Sequence, residues 1–212
     1  MRTLGFTTLL LAAAASGFAQ QWEVGAVGGG SFLNTVSVSS PAGSATAGFK
    51  DGVVGGIFVG QNLYAHLSGE IRYEYFQTDL EIKAGSTTGS FAGREHAIHY
   101  DLLLHTNNRT SPVQAFAAVG FGGKIFEGTG PQTSYQPTEL YGLMTQTHEL
   151  KPMGSVGGGL KFKLSQHVYL RLEARDFISP FPTKVITPPS GSVKYGSVLN
   201  DLVPMVGFEY LF

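Results

Sequence analysis

The sequence predicts an all-β fold: a closed antiparallel eight-stranded up-and-down transmembrane β-barrel, preceded by a cleavable signal peptide. Three observations carry this. Apolar and polar residues alternate with period two along eight segments of roughly 10 to 16 residues, long for globular strands but enough for tilted membrane strands. The connections between them run long, short, long, short, long, short, long. A closed antiparallel barrel with both termini at one end produces that order, and membrane barrels have short turns at one end and longer loops at the other. Finally, one face of the segments is nearly free of charge while the opposite face carries the charged residues. A soluble barrel has an apolar interior and a polar exterior, and a membrane barrel reverses this.

Composition sets the outer limits. Charged residues make up 14% of the 212-residue chain, against roughly one quarter in soluble domains. The 29 glycines and 12% aromatics suit alternating strands facing lipid, and equally a secreted sandwich. There is no cysteine, which excludes disulfides and thiolate metal sites. A net charge of −1 excludes the basic footprint of a nucleic-acid partner.

At the N-terminus Arg2 precedes an apolar run from Leu4 to Ala15, and Gly17-Phe18-Ala19 places small residues around a cleavage point. The run is shorter than the ~20 residues a helical span needs. We expect a signal peptide over residues 1–19, cleaved after Ala19, and a barrel domain over residues 20–212.

The first strand is expected over about Gln21 to Phe32, with Trp22, Val24, Ala26 and Phe32 on one face and Glu23 on the other. The Ser-, Gly-, Ala- and Thr-rich stretch from Asn34 to Gly48 reads as a long loop. The second strand follows over about Phe49 to Gly60, its alternation blurred by glycine, and residues 61–65 make a short connection. In the third, about His66 to Leu80, Leu67, Ile71, Tyr73 and Tyr75 alternate with Ser68, Glu70, Arg72 and Glu74. A loop centred on Gly85 to Gly89 leads to the fourth, about Phe91 to Thr106. There Ile98, Tyr100, Leu102 and Leu104 oppose His99, Asp101, Leu103 and His105.

Asn107 to Pro112 is a turn cluster. The fifth strand, about Val113 to Phe126, carries Lys124 on its polar side. The Pro-, Gly- and Thr-rich segment from Glu127 to Thr147 is a long loop. The sixth, about His148 to Leu164, sets Val156, Leu160 and Phe162 against Lys161 and Lys163. After the turn Ser165-Gln166-His167, the seventh, about Val168 to Ile178, opposes Leu170, Leu172 and Ala174 to Arg171, Glu173 and Arg175. Ser179 to Ser197 is the last long loop, and the eighth strand ends the sequence.

The eighth strand is the most specific stretch. Val206, Phe208, Tyr210 and Phe212 share one face, while Gly207 and Glu209 lie on the other. Gly207-x-x-Tyr210-x-Phe212 resembles the C-terminal signature of Gram-negative outer-membrane barrels, apart from Met205 at a usually polar position. With the signal peptide and the sorted loops, the chain from Gln20 onward resembles the small eight-stranded outer-membrane family of OmpA-transmembrane-domain-like and opacity-type barrels. The resemblance implies a monomer in the cell outer membrane, without catalytic centre or cofactor and with variable outer loops. It also implies that Gly207, Tyr210 and Phe212 act as an assembly signal read by the barrel-assembly machinery. Partners are then outer-membrane lipid, that machinery, and an extracellular ligand held by the loops.

The polar face places Glu23, Glu70, Arg72, Glu74, Asp101, Lys124, Lys161, Lys163, Arg171, Glu173, Arg175 and Glu209 in the lumen. An eight-stranded interior is only wide enough for side chains, so we expect a plug, with pairs such as Glu74 with Arg171 or Arg175 crosslinking it. A small-solute channel or hydrophobic-solute conduit is the alternative. His66-x-Ser68 matches the His-x-Ser pair of outer-membrane enzymes that deacylate lipid A. It sits beside a short turn, away from outer-leaflet substrate, and a linear run does not readily form a Ser–His–acid relay. His96 and His99 fall on opposite faces, and His99 and His105 stand about 20 Å apart along the strand, so no metal site is expected. Tyr135, Tyr141, Phe181 and Tyr195 in the long loops suit ligand contact.

Overall fold

The computed structural model describes residues 22–107, 111–133, 135–189 and 191–212, so the expected signal peptide lies outside the described residues. In chain order the strands are β1 (Trp22–Leu33), β2 (Thr35–Ser40), β3 (Gly43–Phe49), β4 (Gly52–Tyr64), β5 (Leu67–Ala84) and β6 (Thr87–His105). They continue with β7 (Val113–Gly128), β8 (Leu143–Met144), β9 (His148–Lys163), β10 (Val168–Pro180), β11 (Ile186–Thr187), β12 (Lys194–Tyr195) and β13 (Val198–Leu211). Eight of them, β1, β4, β5, β6, β7, β9, β10 and β13, pair antiparallel with their neighbours around a closed circuit. The circuit closes where β1 meets β13, with Val24 opposite Tyr210 and Ala26 opposite Phe208. A Cβ on Gly207 would strike the Ala26 carbonyl across this seam, so glycine sets how closely the two strands approach.

The expected faces hold in space. Val24, Ile57, Val59, Ile71, Ile98, Val119, Leu172, Val206 and Phe208 stand exposed around the outside. Trp22, Tyr64, Tyr210 and Phe212, all exposed, ring the terminus end, where amphipathic aromatics sit at a membrane interface. Tyr210 stacks on His167 and meets Phe212 edge-on, with centroids 5.6 and 5.3 Å apart.

Two of the expected loops are strands. Asn34 to Gly48 forms the β2–β3 hairpin, and the β5–β6 hairpin turns at Gly85, which takes φ +58°. Phe49 consequently belongs to β3, and the second barrel strand begins at Gly52. The small residues that read as loop hide a real alternation: Val36, Val38, Ala45, Ala47 and Phe49 are buried, while Thr35, Ser37 and Ser39 are exposed.

These hairpins build a second core above the barrel. Val38, Ala47, Phe49, Leu80, Ile82, Phe126, Met144, Phe181, Val185, Ile186 and Leu199 pack together there. The two longest connections are sewn into it. β8 pairs with β11, Gln136 donates to the Met144 carbonyl and accepts its amide, and the Tyr195 hydroxyl donates to the Tyr141 carbonyl. Of the four loop aromatics expected at the surface, Phe181 is buried, Tyr141 and Tyr195 pack against the core, and Tyr135 alone stands fully out.

The polarity of the strands therefore inverts partway along. On β5 the inward series Glu70, Arg72, Glu74 gives way beyond Phe76 to Leu80 and Ile82, while the outward series Ile71, Tyr73, Tyr75 gives way to Gln77, Asp79 and Lys83. Gln77 pairs with Arg94, whose guanidinium forks onto Glu127 at 2.7 and 3.0 Å. That bond holds the Glu127 carboxyl below the usual carboxylate range. This level marks the membrane edge. Ile71 lies midway between it and the terminus end, so Ile71→Arg should lower stability by about 2–4 kcal/mol. Unfolding titrations in lipid vesicles check this, and an unchanged midpoint would mean that the face meets water.

Candidate functional site

A strand turned inward every second residue delivers one side chain per ~7 Å to the lumen, and neighbouring strands bring theirs to the same level. The geometry that results is tiered. At the terminus end Lys161 lies between Glu209 at 2.9 Å and Glu23 at 3.2 Å. Ser68 and His105 join there, Oγ to Nε2 at 2.8 Å. The cavity at this mouth, lined by His105, Gln114 and Tyr169 among others, measures about 20 Å³, room for about one water.

The next tier is the densest. Arg171 donates to both oxygens of Glu70, at 2.6 and 3.0 Å, and to Glu173 at 3.0 Å. Arg72, from across the lumen, reaches Glu173 at 2.5 Å, Glu74 at 2.9 Å and Glu70 at 3.1 Å. Arg175 sits 2.9 Å from Asp101 and 3.3 Å from Glu173. His99 bridges Glu74 at 2.7 Å and Asp101 at 2.9 Å through its two ring nitrogens. The Arg171 guanidinium also lies 4.7 Å from the Phe58 ring and 4.5 Å from Phe116, a position that favours a cation over the aromatic faces. Room comes from glycine: a Cβ on Gly157 would collide with Arg175.

Above this Phe58, Phe76, Phe177, Met153, Val203 and Met205 close an apolar layer. Lys124 crosses it, 4.7 Å from the Phe76 centroid, and ends 2.6 Å from both Glu95 and Asp201. The second, apolar core begins there.

The structure thus places Glu23, Glu70, Arg72, Glu74, Asp101, Lys161, Arg171, Glu173, Arg175 and Glu209 in one connected cluster, with Lys124 in a separate one. Several details differ from expectation. Glu74 pairs with Arg72 and His99, not with Arg171 or Arg175. Lys163 has inward parity but lies exposed at the rim, past the last enclosed level. His66 is exposed and bonds the His105 carbonyl, so Ser68 takes its histidine from β6. Glu95, Asp201 and His99 belong to the buried charged set as well. Parity places Glu95 in step with Asp101, and Asp201 in step with Glu209, and is the signal that finds them. Among the described residues no group of three or more His, Asp and Glu has metal-holding geometry.

A family model described as the outer membrane protein beta-barrel domain matches residues 5–187. The chain belongs to this family. No curated protein matches it by sequence. Among solved structures, Neisserial surface protein A is 14% identical with a TM-score of 0.53, over 90% of this chain and 96% of that one. The outer membrane protein OprG from Pseudomonas aeruginosa is 14% identical with a TM-score of 0.55, over 90% and 95%. At such identities the likeness is one of fold, and family membership indicates the outer membrane as location.

The buried ion pairs dictate how this barrel responds to mutation. Removing one partner of a buried ion pair leaves an uncompensated charge, whereas replacing both is far milder. Arg171→Met should cost about 3–5 kcal/mol, and Arg171→Met with Glu70→Met should recover part of the loss. Denaturant unfolding of the refolded variants checks this. A double variant no better than the single would show that the pair carries no coupling.

Proposed function

We propose that this protein is a non-enzymatic outer-membrane barrel with a sealed lumen, which acts through the surface of its loop-end cap. The observation that carries this is the burial of the plug. Glu70, Glu74, Asp101, Lys124, Arg171 and Arg175 each show 0% exposure. A continuous water path would give these side chains accessible surface, so their complete enclosure supports a structural or interaction role over a channel. Ser68, also fully buried and bonded to His105, has no approach for a lipid ester. In this reading the loop end faces the exterior, the chain is exported with cleavage after Ala19, and it stays a monomer.

Purified protein in planar bilayers should give no reproducible conductance steps. Steady open steps from the native chain would replace this reading with the small-solute channel. The closing strand supports a role in assembly. Phe212 donates its amide to the Trp22 carbonyl at 2.9 Å, locking the seam, and its ring projects outward. Deleting Phe212 should reduce the folded, heat-modifiable form recovered from outer membranes. Wild-type amounts in the deletant would remove Gly207, Tyr210 and Phe212 as an assembly signal.

A further inference from the structure

At the loop end one strand has an open edge. Along an antiparallel strand both backbone groups of a residue turn to the same neighbour, and alternate residues face alternate sides. His105 donates its amide to His66, which sets the odd residues of β6 toward β5, and Thr106 donates to Ala115, which sets the even ones toward β7. The registers run without a shift to Ala84 opposite Thr87 and to Gly93 opposite Gly128. β7 thus ends at the level of Gly93, while β6 continues outward. Thr129 and Gly130 donate to the Ala92 carbonyl. Among the described residues, no backbone group meets the N–H and C=O of Ser90 or Thr88 on that side.

Beside this edge lies a cleft of about 180 Å³, between Ser90, Phe91 and Ala92 and a wall that includes Pro131, Tyr135 and Pro137. It is smaller than the ~300 Å³ at which sites for whole small molecules begin, and suits a side chain. The prolines opposite lack amide donors and cannot themselves complete the ladder. Charge around the cleft is internally matched: the Lys50 ammonium bonds Ser90 Oγ at 2.8 Å and lies 3.8 Å from Asp79, and Arg94 is held by Glu127. A matched rim and a wall of proline and aromatic rings select an uncharged segment.

We propose that the Thr88–Ser90 edge binds an extended segment of a partner polypeptide as an added β-strand, with an uncharged apolar side chain seated in the cleft. Such strand addition draws its affinity from main-chain hydrogen bonds and its selectivity from the pocket. The proposal rests on the loop end being the interacting surface and names the site and the chemistry of its partner.

The test uses the full refolded chain and a labelled pentapeptide of alternating threonine and valine, followed by fluorescence anisotropy. A control peptide carries N-methyl groups on the residues that would donate to the edge. The native protein should bind the first peptide and bind the methylated one about tenfold more weakly or less, since several ladder bonds are lost. Ser90→Pro removes an edge donor and should weaken binding similarly, while Ser90→Ala keeps the backbone and should bind as the native chain does. The Thr88 and Ser90 amide resonances should shift on titration. Equal binding of both peptides, no binding, or shifts confined to other residues would overturn the proposal. Thr88 and Ser90 shifts that grow with protein concentration alone would overturn it in favour of a second copy at the edge. If Ser90→Pro does not fold, the methylated peptide on the native chain decides. Channel steps in bilayers would remove the sealed-lumen reading and leave this result unaffected.

Discussion

The pairing of charge buried inside the barrel is the constraint on which the rest of this structure depends. An isolated ion taken out of water costs several kcal/mol even after relaxation, so every inward carboxylate needs a partner placed by another strand. Arg171 on β10 reaches Glu70 on β5, and Arg72 on β5 reaches Glu173 on β10. These reciprocal links span the lumen. Lys161 on β9 ties Glu23 on β1 to Glu209 on β13, beside the seam. A one-residue slip of any of these strands would turn its charges into lipid and its leucines inward. The ion pairs therefore fix register as well as filling space.

The same requirement explains the layering. Where the wall meets lipid, the inward face holds charge and the outward face is apolar. Once the strands leave the membrane, water solvates their outer face and the inner face is free to be apolar. Phe76 and Gln77, adjacent on β5, mark the change: one is fully buried in the aromatic layer, the other exposed. Beyond them the molecule has an ordinary water-soluble core around Leu80, Ile82 and Phe126. One strand thus serves two solvents without changing its pleat. The Lys124–Glu95–Asp201 group sits at the junction, the last ionic tier below the apolar cap.

Much of this was legible in the sequence because parity is a local property. Glu70, Arg72 and Glu74 could be assigned to one face from β5 alone, and the terminal aromatics from β13 alone. What parity does not encode is which strand lies across the lumen, so it suggests Arg171 or Arg175 for Glu74, whose partners are Arg72 and His99. Spacing likewise sets Ser68 beside its sequence neighbour His66, whereas its bonded histidine is the distant His105. The cap is hidden in the sequence for a different reason. Between Asn34 and Gly48 the buried positions are only Val, Ala and Gly, and most of the rest are serine and threonine, so composition outweighs a true alternation. Phe181 reads as a surface aromatic because its loop is rich in proline, which says nothing of whether a loop folds back onto a core.

The change of solvent along the strands also explains how an open strand edge is tolerated here. In hydrocarbon an unmet N–H or C=O costs several kcal/mol, which is why membrane barrels close completely. This barrel obeys that rule up to the Gln77–Arg94 pair, where each barrel strand has two neighbours. Thr88 and Ser90 lie farther out on β6, above the level where the outward face becomes polar, and there water satisfies the edge. An edge in water carries the opposite hazard, unselective pairing with other strands. Here it is short, flanked by prolines that cannot pair, and topped by the polar outward side chains of Thr88 and Ser90. Those features limit unselective pairing, so the closed barrel wall and the open edge follow from one rule applied in two solvents.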